Sequence, residues 1–296
     1  MARGRFDCHI DVGFKNGGCF SMDIEAIEKY YLLNGELKST EDAEIFQKIQ
    51  KPIYEVIRII DEVPLFLEGH LERMRKSAKL VDCKIHRTND EIQKDIKKLI
   101  KENEIKNLNV KLICADVEDM GQVFLVFLIK SFYPPEEYYE KGIHTTLFHY
   151  ERQNPNAKVQ IGDFKMEVAK KLENEKAFEA LLVNKSGYIP EGSRSNMFFV
   201  KGDKLYTAPK GDVLLGITRK HIFQVCEELG IEIIEENIHV GDLNKLDGAF
   251  MTGTSVNVLP ISTIDHIKLD SINNKMIKEI NNGYVNKMMK YIEKNQ

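Results

Sequence analysis

The stretch Glu191-Gly192-Ser193-Arg194-Ser195-Asn196-Met197-Phe198-Phe199-Val200, followed by Leu215-Gly216-Ile217-Thr218-Arg219, decides how this chain is read. The first segment puts a carboxylate on a polar turn that runs straight into an apolar strand. A Glu beside Gly and Ser is ordinarily a solvated turn residue. Here it stands at the mouth of a core strand, where a carboxylate can be held against a cationic group. The second segment opens an amphipathic helix with a Gly-Ile-Thr turn. Thr218 is suited to cap that helix, and the free N–H groups of its first turn attract an anion, although most such turns are only caps. A ligand cationic at one end and phosphorylated at the other suits both pieces.

Working outward, the helix after Thr218 carries Ile222, Val225 and Leu229 on one face, and Gly230 suits its C′ position. Strands are expected at 142–150, 179–184, 196–200, 204–208, 231–235 and 248–251, with helices at 162–176 and 271–293. Towards the N-terminus, 54–60 and 63–67 read as a hairpin around Asp61-Glu62. Helices follow at 70–80 and 88–104, then buried strands at 109–115 and 122–129. The adjacent prolines of Tyr133-Pro134-Pro135-Glu136-Glu137 can continue neither helix nor sheet, so the domain boundary is set there. Helices and short strands alternate without strict βαβ spacing. The fold class is therefore mixed α+β, with an N-terminal domain over 1–133 and a C-terminal domain over 134–296 that carries most of the candidate site.

The chain has 296 residues, ample for two domains of this size. Its net charge of −4 argues against a nucleic-acid footprint. Cys8, Cys19, Cys83, Cys114 and Cys226 are scattered and odd in number, which speaks against a disulfide framework or a zinc site. Met1-Ala2-Arg3-Gly4 leads into polar sequence, and no apolar run approaches the ~20 residues that span a bilayer. The expectation is a cytoplasmic protein with neither membrane, nucleic-acid nor metal partners.

Other residues carry chemistry only in company. Arg73 on the 70–80 helix is an ordinary surface charge or a second phosphate ligand, since a guanidinium fork matches phosphate oxygens. Thr252-Gly253-Thr254-Ser255 is a plain turn or a set of donors at a strand end. A nucleophilic lysine must be desolvated to lower its pKa. Lys158, at the end of an extended run, and Lys165, inside the following helix, are both open on this reading.

Taken in order, these pieces resemble the class IV (fold type IV) pyridoxal-phosphate enzymes: branched-chain aminotransferases, D-amino-acid transaminases and aminodeoxychorismate lyases. Tyr54-Glu55-Val56-Ile57-Arg58 is similar to the family's aromatic-Glu-x-x-Arg strand. His70-Leu71-Glu72-Arg73-Met74 with Ser77-Ala78 is similar to its His-x-x-Arg-Leu…Ser-Ala helix. Glu191 to Phe198, Leu215 to Arg219, and Thr252 to Ser255 with Pro260-Ile261 resemble three further motifs, over about two thirds of the chain. The resemblance implies pyridoxal 5′-phosphate as cofactor and selects Lys158, counting back from Glu179-Ala180-Leu181-Leu182, as the lysine that holds it and moves the substrate proton. It further implies Glu191 against the pyridinium nitrogen, with Ser195 and Asn196 beside it. Arg73, Gly216, Ile217, Thr218 and Thr254 are implied around the phosphate. Tyr54, Lys111, Thr254 and Ser255 are implied on the substrate side, and a homodimer is implied because relatives share sites between subunits.

The chain departs from this pattern on the substrate side. Gln47-Lys48-Ile49-Gln50-Lys51-Pro52-Ile53 stands where many relatives have a Gly-rich loop, with Gly17-Gly18 far upstream. Ala115-Asp116-Val117-Glu118-Asp119 is acidic where D-amino-acid transaminases place Arg and His. Lys111 is the nearest match to the branched-chain enzymes' Arg, and Asp163 takes the place of their Tyr. The expected activity is amino-group transfer between an amino acid, branched-chain type first, and a 2-oxo acid. D-amino-acid transamination, a lyase reaction on the same cofactor and a non-catalytic cofactor-binding protein are the alternatives.

Overall fold

In the computed structural model the described residues are 25–152, 155–158 and 162–296, without the side chains of residues 162 and 163. Cys8, Cys19, Gly17-Gly18 and the side chain of Asp163 lie outside them.

The N-terminal part holds β1 (Tyr30–Leu33), β2 (Glu36–Ser39), α1 (Ile45–Lys48), β3 (Ile53–Ile60), β4 (Val63–Pro64), α2 (Leu67–Leu80), α3 (Asn89–Glu102), β5 (Leu108–Val117) and β6 (Gly121–Ile129). Its strands form one sheet in the order β2-β1-β6-β5-β3-β4, antiparallel throughout. The β1–β2 hairpin, absent from the strand reading above, turns on Asn34-Gly35, both at positive φ, the pair such two-residue turns favour. The stretch that replaces the Gly-rich loop begins in the last residues of α1 and runs on into β3, and α1 buries Phe46 fully.

Alternation along β3 divides the sheet's two faces. Ile53, Glu55, Ile57 and Ile59 are buried, and its isoleucines join the core made with α2 and α3. Tyr54, Val56 and Arg58 point to the other face. The expected strand at 63–67 shrinks to two residues, because Phe66 takes a left-handed φ of 53° and α2 starts at Leu67. Phe66 then packs into a second core with Phe198, Ile222 and Tyr284.

After α4 (Glu136–Lys141) come β7 (Ile143–His149), α5 (Gly162–Glu175), β8 (Glu179–Val183), β9 (Tyr188–Ile189), β10 (Asn196–Lys201), β11 (Lys204–Thr207), α6 (Ile217–Leu229), β12 (Ile233–Glu235), β13 (Ile238–His239), β14 (Gly248–Gly253), β15 (Asn257–Ile264), β16 (Ile267–Lys268) and α7 (Lys275–Asn295). The second sheet runs β12-β11-β10-β14-β15-β7-β8, with β16 on β15. It is mixed: β11 pairs β12, β15 pairs β7 and β7 pairs β8 in parallel. α7 begins at Lys275 rather than 271, where Asn274 accepts the Ile277 N–H as N-cap.

The two sheets meet along a polar seam. Arg58 donates to Asn257 Oδ1 (3.3 Å), Asn109 to Ser255 Oγ (2.7 Å), Thr254 to the Val56 carbonyl (3.4 Å) and Arg73 to the Leu215 carbonyl (3.5 Å). The motif residues of both halves collect here.

Candidate active site

Lys158 is fixed in the seam by its backbone. Its N–H donates to Ser77 Oγ at 3.2 Å, and its carbonyl accepts the Tyr54 N–H at 3.3 Å. Its ammonium lies 4.8 Å from the Tyr54 ring centroid. Burial, then the nearby Arg73 guanidinium, lowers the Lys158 pKa to about 7, against the opposing pull of Glu55. Lys165 is different: its side chain is 55% exposed and pairs with Glu25 at 3.5 Å. Of the two lysines left open, only Lys158 has the desolvated amine that nucleophilic chemistry at neutral pH requires.

Glu191 is 3% exposed. One carboxylate oxygen accepts the Leu214 N–H at 3.1 Å, and the other lies 3.2 Å from Arg152 Nε. Burial pushes its pKa up, and Arg152 and the Leu214 N–H pull against that. Asn196 donates to the carbonyl of the same Leu214 at 2.8 Å, so the two opening motifs are tied through one residue. A Cβ on Gly192 would sit 2.2 Å from Ser195 Oγ, so this turn closes only with glycine. Ser195 and Ser193 both donate to the buried carboxylate of Glu179, at 2.9 and 2.5 Å. Ser195 thus braces the turn that carries Glu191.

The start of α6 is built to receive an anion. Gly216, not Thr218, is the N-cap; no side chain caps the helix, and its first turn carries no acid. Thr218 is the second helical residue and 5% exposed. A Cβ on Gly216 would fall 2.0 Å from Asn196 Oδ1, which explains the glycine. The buried Thr252 hydroxyl has no hydrogen-bond partner. Thr252 shares a face of β14 with Phe250, whose core includes Ile217 and Ile222 of α6. Buried hydroxyls are normally satisfied, so this unpartnered donor on the face packed against α6 fits a bound phosphate group.

Arg73 reaches this point held by a second carboxylate. Its Nε and Nη2 donate to Glu55 Oε1 (2.7 Å) and Oε2 (2.6 Å), a bidentate fork, while His70 Nδ1 donates to Oε2 at 2.8 Å. Burial alone would raise the Glu55 pKa; Arg73, helped by His70, instead brings it down to about 2. Burial lowers the His70 pKa, which keeps the ring neutral. The fork leaves Nη1 directed to Leu215, one residue from Gly216.

On the substrate side, the amines of Lys158 and Lys111 both approach the Tyr54 ring. Lys111 Nζ is 5.2 Å from its centroid and 6.0 Å from that of Phe127. Lys111 is buried and forms an ion pair with Glu25. Ser255 Oγ accepts from Asn109, and Thr254 lies against Val56. A cavity of about 170 Å³ opens beside Glu191 and Arg152, walled by Leu182 and Pro190 among others. No group of acids, His and Cys able to hold a metal occurs among the described residues.

All the expected site residues thus gather at the seam, from Glu191 and Thr218 through Lys158 and Tyr54 to Lys111. The sequence reading missed Arg152, Glu25, the bracing role of Glu179 and the Glu55–His70–Arg73 pairing. For Glu55 a signal existed: an acid on the buried parity of an isoleucine-rich strand demands a cationic partner. Arg152 and Glu25 carry no local signal.

The sequence profile of the family described as amino-transferase class IV matches residues 52–264. A probable branched-chain-amino-acid aminotransferase of Rickettsia felis is 30% identical over 264 residues, covering 82% of this chain and 90% of that protein. A D-alanine aminotransferase of Bacillus licheniformis is 27% identical over 237 residues, covering 72% and 78%. The branched-chain amino acid aminotransferase structure of Escherichia coli shares the fold, with a TM-score of 0.80 at 23% identity over 88% of this chain and 95% of that one. The profile spans well over half of the chain, and the residues it spans include Lys158, Glu191 and the start of α6. The chain belongs to the class IV aminotransferase family and is a pyridoxal-phosphate-dependent aminotransferase.

Proposed function

We propose that this aminotransferase moves the amino group of a branched-chain amino acid to a 2-oxo acid, with Lys158 as its catalytic residue. The observation that carries the reading is the Lys158 amine, brought to a pKa of about 7 inside a seam that also holds Glu191 and the uncapped α6 start. The fit of the cofactor rests on the orphaned Thr252 hydroxyl and on the Arg73 guanidinium directed at the Gly216 turn.

Pyridoxal phosphate, when bound, supplies an electron sink for the carbanion formed at the substrate's Cα. Arg73, the Ile217 and Thr218 N–H groups, Thr254 and Thr252 would hold its phosphate. Glu191, positioned by Arg152 and the Leu214 N–H, would pair with its ring nitrogen. Lys158 takes the proton from Cα and returns it, a task suited to an amine that is half neutral near pH 7. The Thr254-Ser255 turn faces the substrate carboxylate, and Tyr54 and Phe127 give the side chain an aromatic wall.

Substrate class is supported by the names of relatives, several of which are branched-chain aminotransferases, and by that apolar wall. The D-alanine aminotransferase relative makes stereochemistry part of the test. Cofactor-loaded protein is incubated separately with L-leucine, L-valine and D-alanine, without acceptor. One equivalent of 2-oxo acid from L-leucine is the expected result; release from D-alanine alone would overturn the substrate assignment. We further propose a cytoplasmic homodimer. No helix among the described residues is long and apolar enough to cross a membrane. Light scattering that finds only monomer would remove the dimer.

A further inference from the structure

The turn between β14 and β15 is tied residue by residue to the rest of the seam. Gly253 pairs with Asn257, which closes Thr254-Ser255-Val256 into a tight loop. Thr254 donates its hydroxyl to the Val56 carbonyl at 3.4 Å, and Ser255 Oγ accepts from Asn109 Nδ2 at 2.7 Å. The Val256 carbonyl accepts from the Tyr139 hydroxyl at 3.1 Å, and Asn257 Oδ1 accepts from Arg58 at 3.3 Å. In the β3–β5 ladder Arg58 lies opposite Asn109, Val56 opposite Lys111 and Tyr54 opposite Ile113. Opposed residues share a face, so Asn109 stands on the side of the sheet that carries Tyr54 and Lys111. Ser255 meets it there.

The two hydroxyls of this turn are in opposite states. The Thr254 proton is committed to Val56. The Ser255 oxygen receives a hydrogen bond, and no described residue accepts the proton that it carries. A hydroxyl has one proton and two lone pairs, so a donor held at its oxygen leaves the proton for another acceptor. The donor is itself oriented from behind. Tyr133 donates to Asn109 Oδ1 at 3.0 Å, and its ring is held against the Arg58 guanidinium, 4.4 Å from the centroid. With its oxygen occupied, the buried Asn109 amide turns its NH2 to Ser255. Donors in series strengthen one another.

We infer that Asn109 is a positioning residue which, backed by Tyr133, turns the Ser255 hydroxyl outward as a hydrogen-bond donor to the substrate's α-carboxylate. The inference rests on the aminotransferase reading and deepens it. A free serine hydroxyl rotates to whichever acceptor is near; a donor fixed behind it removes that freedom before the anion arrives. A hydrogen bond to a carboxylate is about twice as strong as one between neutral groups. The effect therefore falls on a carboxylate ligand and not on its uncharged analogue.

The test uses cofactor-loaded protein and two unreactive ligands, 4-methylvaleric acid and its neutral amide, bound by calorimetry. Ser255→Ala is expected to weaken the acid about tenfold and the amide less than about twofold. Asn109→Leu should weaken the acid about fivefold, and Tyr133→Phe, which removes only the hydroxyl, about threefold. In the Ser255→Ala background neither change should weaken the acid further. The KM for L-leucine should follow the acid's affinity, with kcat nearly unchanged. An acid-to-amide ratio that moves less than about twofold in Ser255→Ala overturns the proposal. So does a loss from Asn109→Leu or Tyr133→Phe that is as large without the Ser255 hydroxyl as with it, since the two would then only hold the seam together. If Asn109→Leu does not fold, Tyr133→Phe carries the same comparison. The L-leucine half-reaction of the unaltered protein runs alongside. Its failure would sink the function proposed above, whereas its success with an unmoved ratio sinks only the role of Asn109.

Discussion

The Glu191–Gly216 region and the Glu25–Lys111 region flank the same Tyr54 ring yet are held by different means. Around Glu191 the supports are many and mutually dependent: Leu214 binds both Glu191 and Asn196, Glu179 anchors Ser193 and Ser195, and Gly192 and Gly216 leave no room for a side chain. Around Lys111 the contact with Glu25 spans 86 positions of sequence. A site held by short-range contacts keeps its geometry through neighbouring residues. A site that relies on a long-range ion pair depends on how distant segments pack.

The most damaging change to the first region is Lys158→Ala, expected to lower turnover by at least about a thousandfold. It should also remove the borohydride-reducible visible band of the loaded protein; a band that persists would place the cofactor on another lysine. Glu55→Gln comes next, because it leaves Arg73 buried without its fork. Urea unfolding should show a loss of about 3–5 kcal/mol, and an unchanged midpoint would show that the pair does not hold the region together. Gly216→Ala pushes a methyl group into Asn196 and should weaken cofactor retention about tenfold, or about 1.4 kcal/mol, in a dialysis assay.

A pH profile separates the lysine's chemistry from its packing. With a pKa depressed to about 7, Lys158 is mostly protonated below that value and mostly neutral above it. Uptake of pyridoxal phosphate by cofactor-free protein should therefore quicken about tenfold from pH 6 to pH 8; a profile still climbing steeply near pH 10 would mean an ordinary lysine. The smallest effect is expected from Lys165→Ala. Its ammonium is mostly solvated, and an exposed ion pair contributes about 0–1 kcal/mol, so the L-leucine half-reaction should stay within about twofold. A loss as large as that of Lys158→Ala would reverse the choice of lysine.

Much of the fold was legible because its signals are local, in strand composition and in helical periodicity. The run 54–60 is rich in β-branched residues, and α2, α3 and α6 show helical spacing of apolar residues, so those elements appear where expected. Two readings failed for identifiable reasons. Residues 65–67 are apolar enough for a strand, but Phe66 is drawn into the second core and turns the chain into α2. Thr218 has a capping side chain, but Gly216 takes the N-cap because the chain must pass close to Asn196 there.

By itself the sequence determined the cofactor half of this protein: a strand mouth bearing Glu191 and a glycine turn opening α6, recognisable because turn and cap chemistry depend on residues a few positions apart. It left Lys158 and Lys165 equal until a family resemblance favoured one of them. The tertiary structure decided which amine loses water, which carboxylate grips Arg73, that Arg152 faces Glu191, and that Glu25 lies on Lys111. Those are contacts between distant residues. They exist only once sheet register and the packing of the two halves have fixed the distance and solvent exposure of each charge, and these set its pKa and its partners.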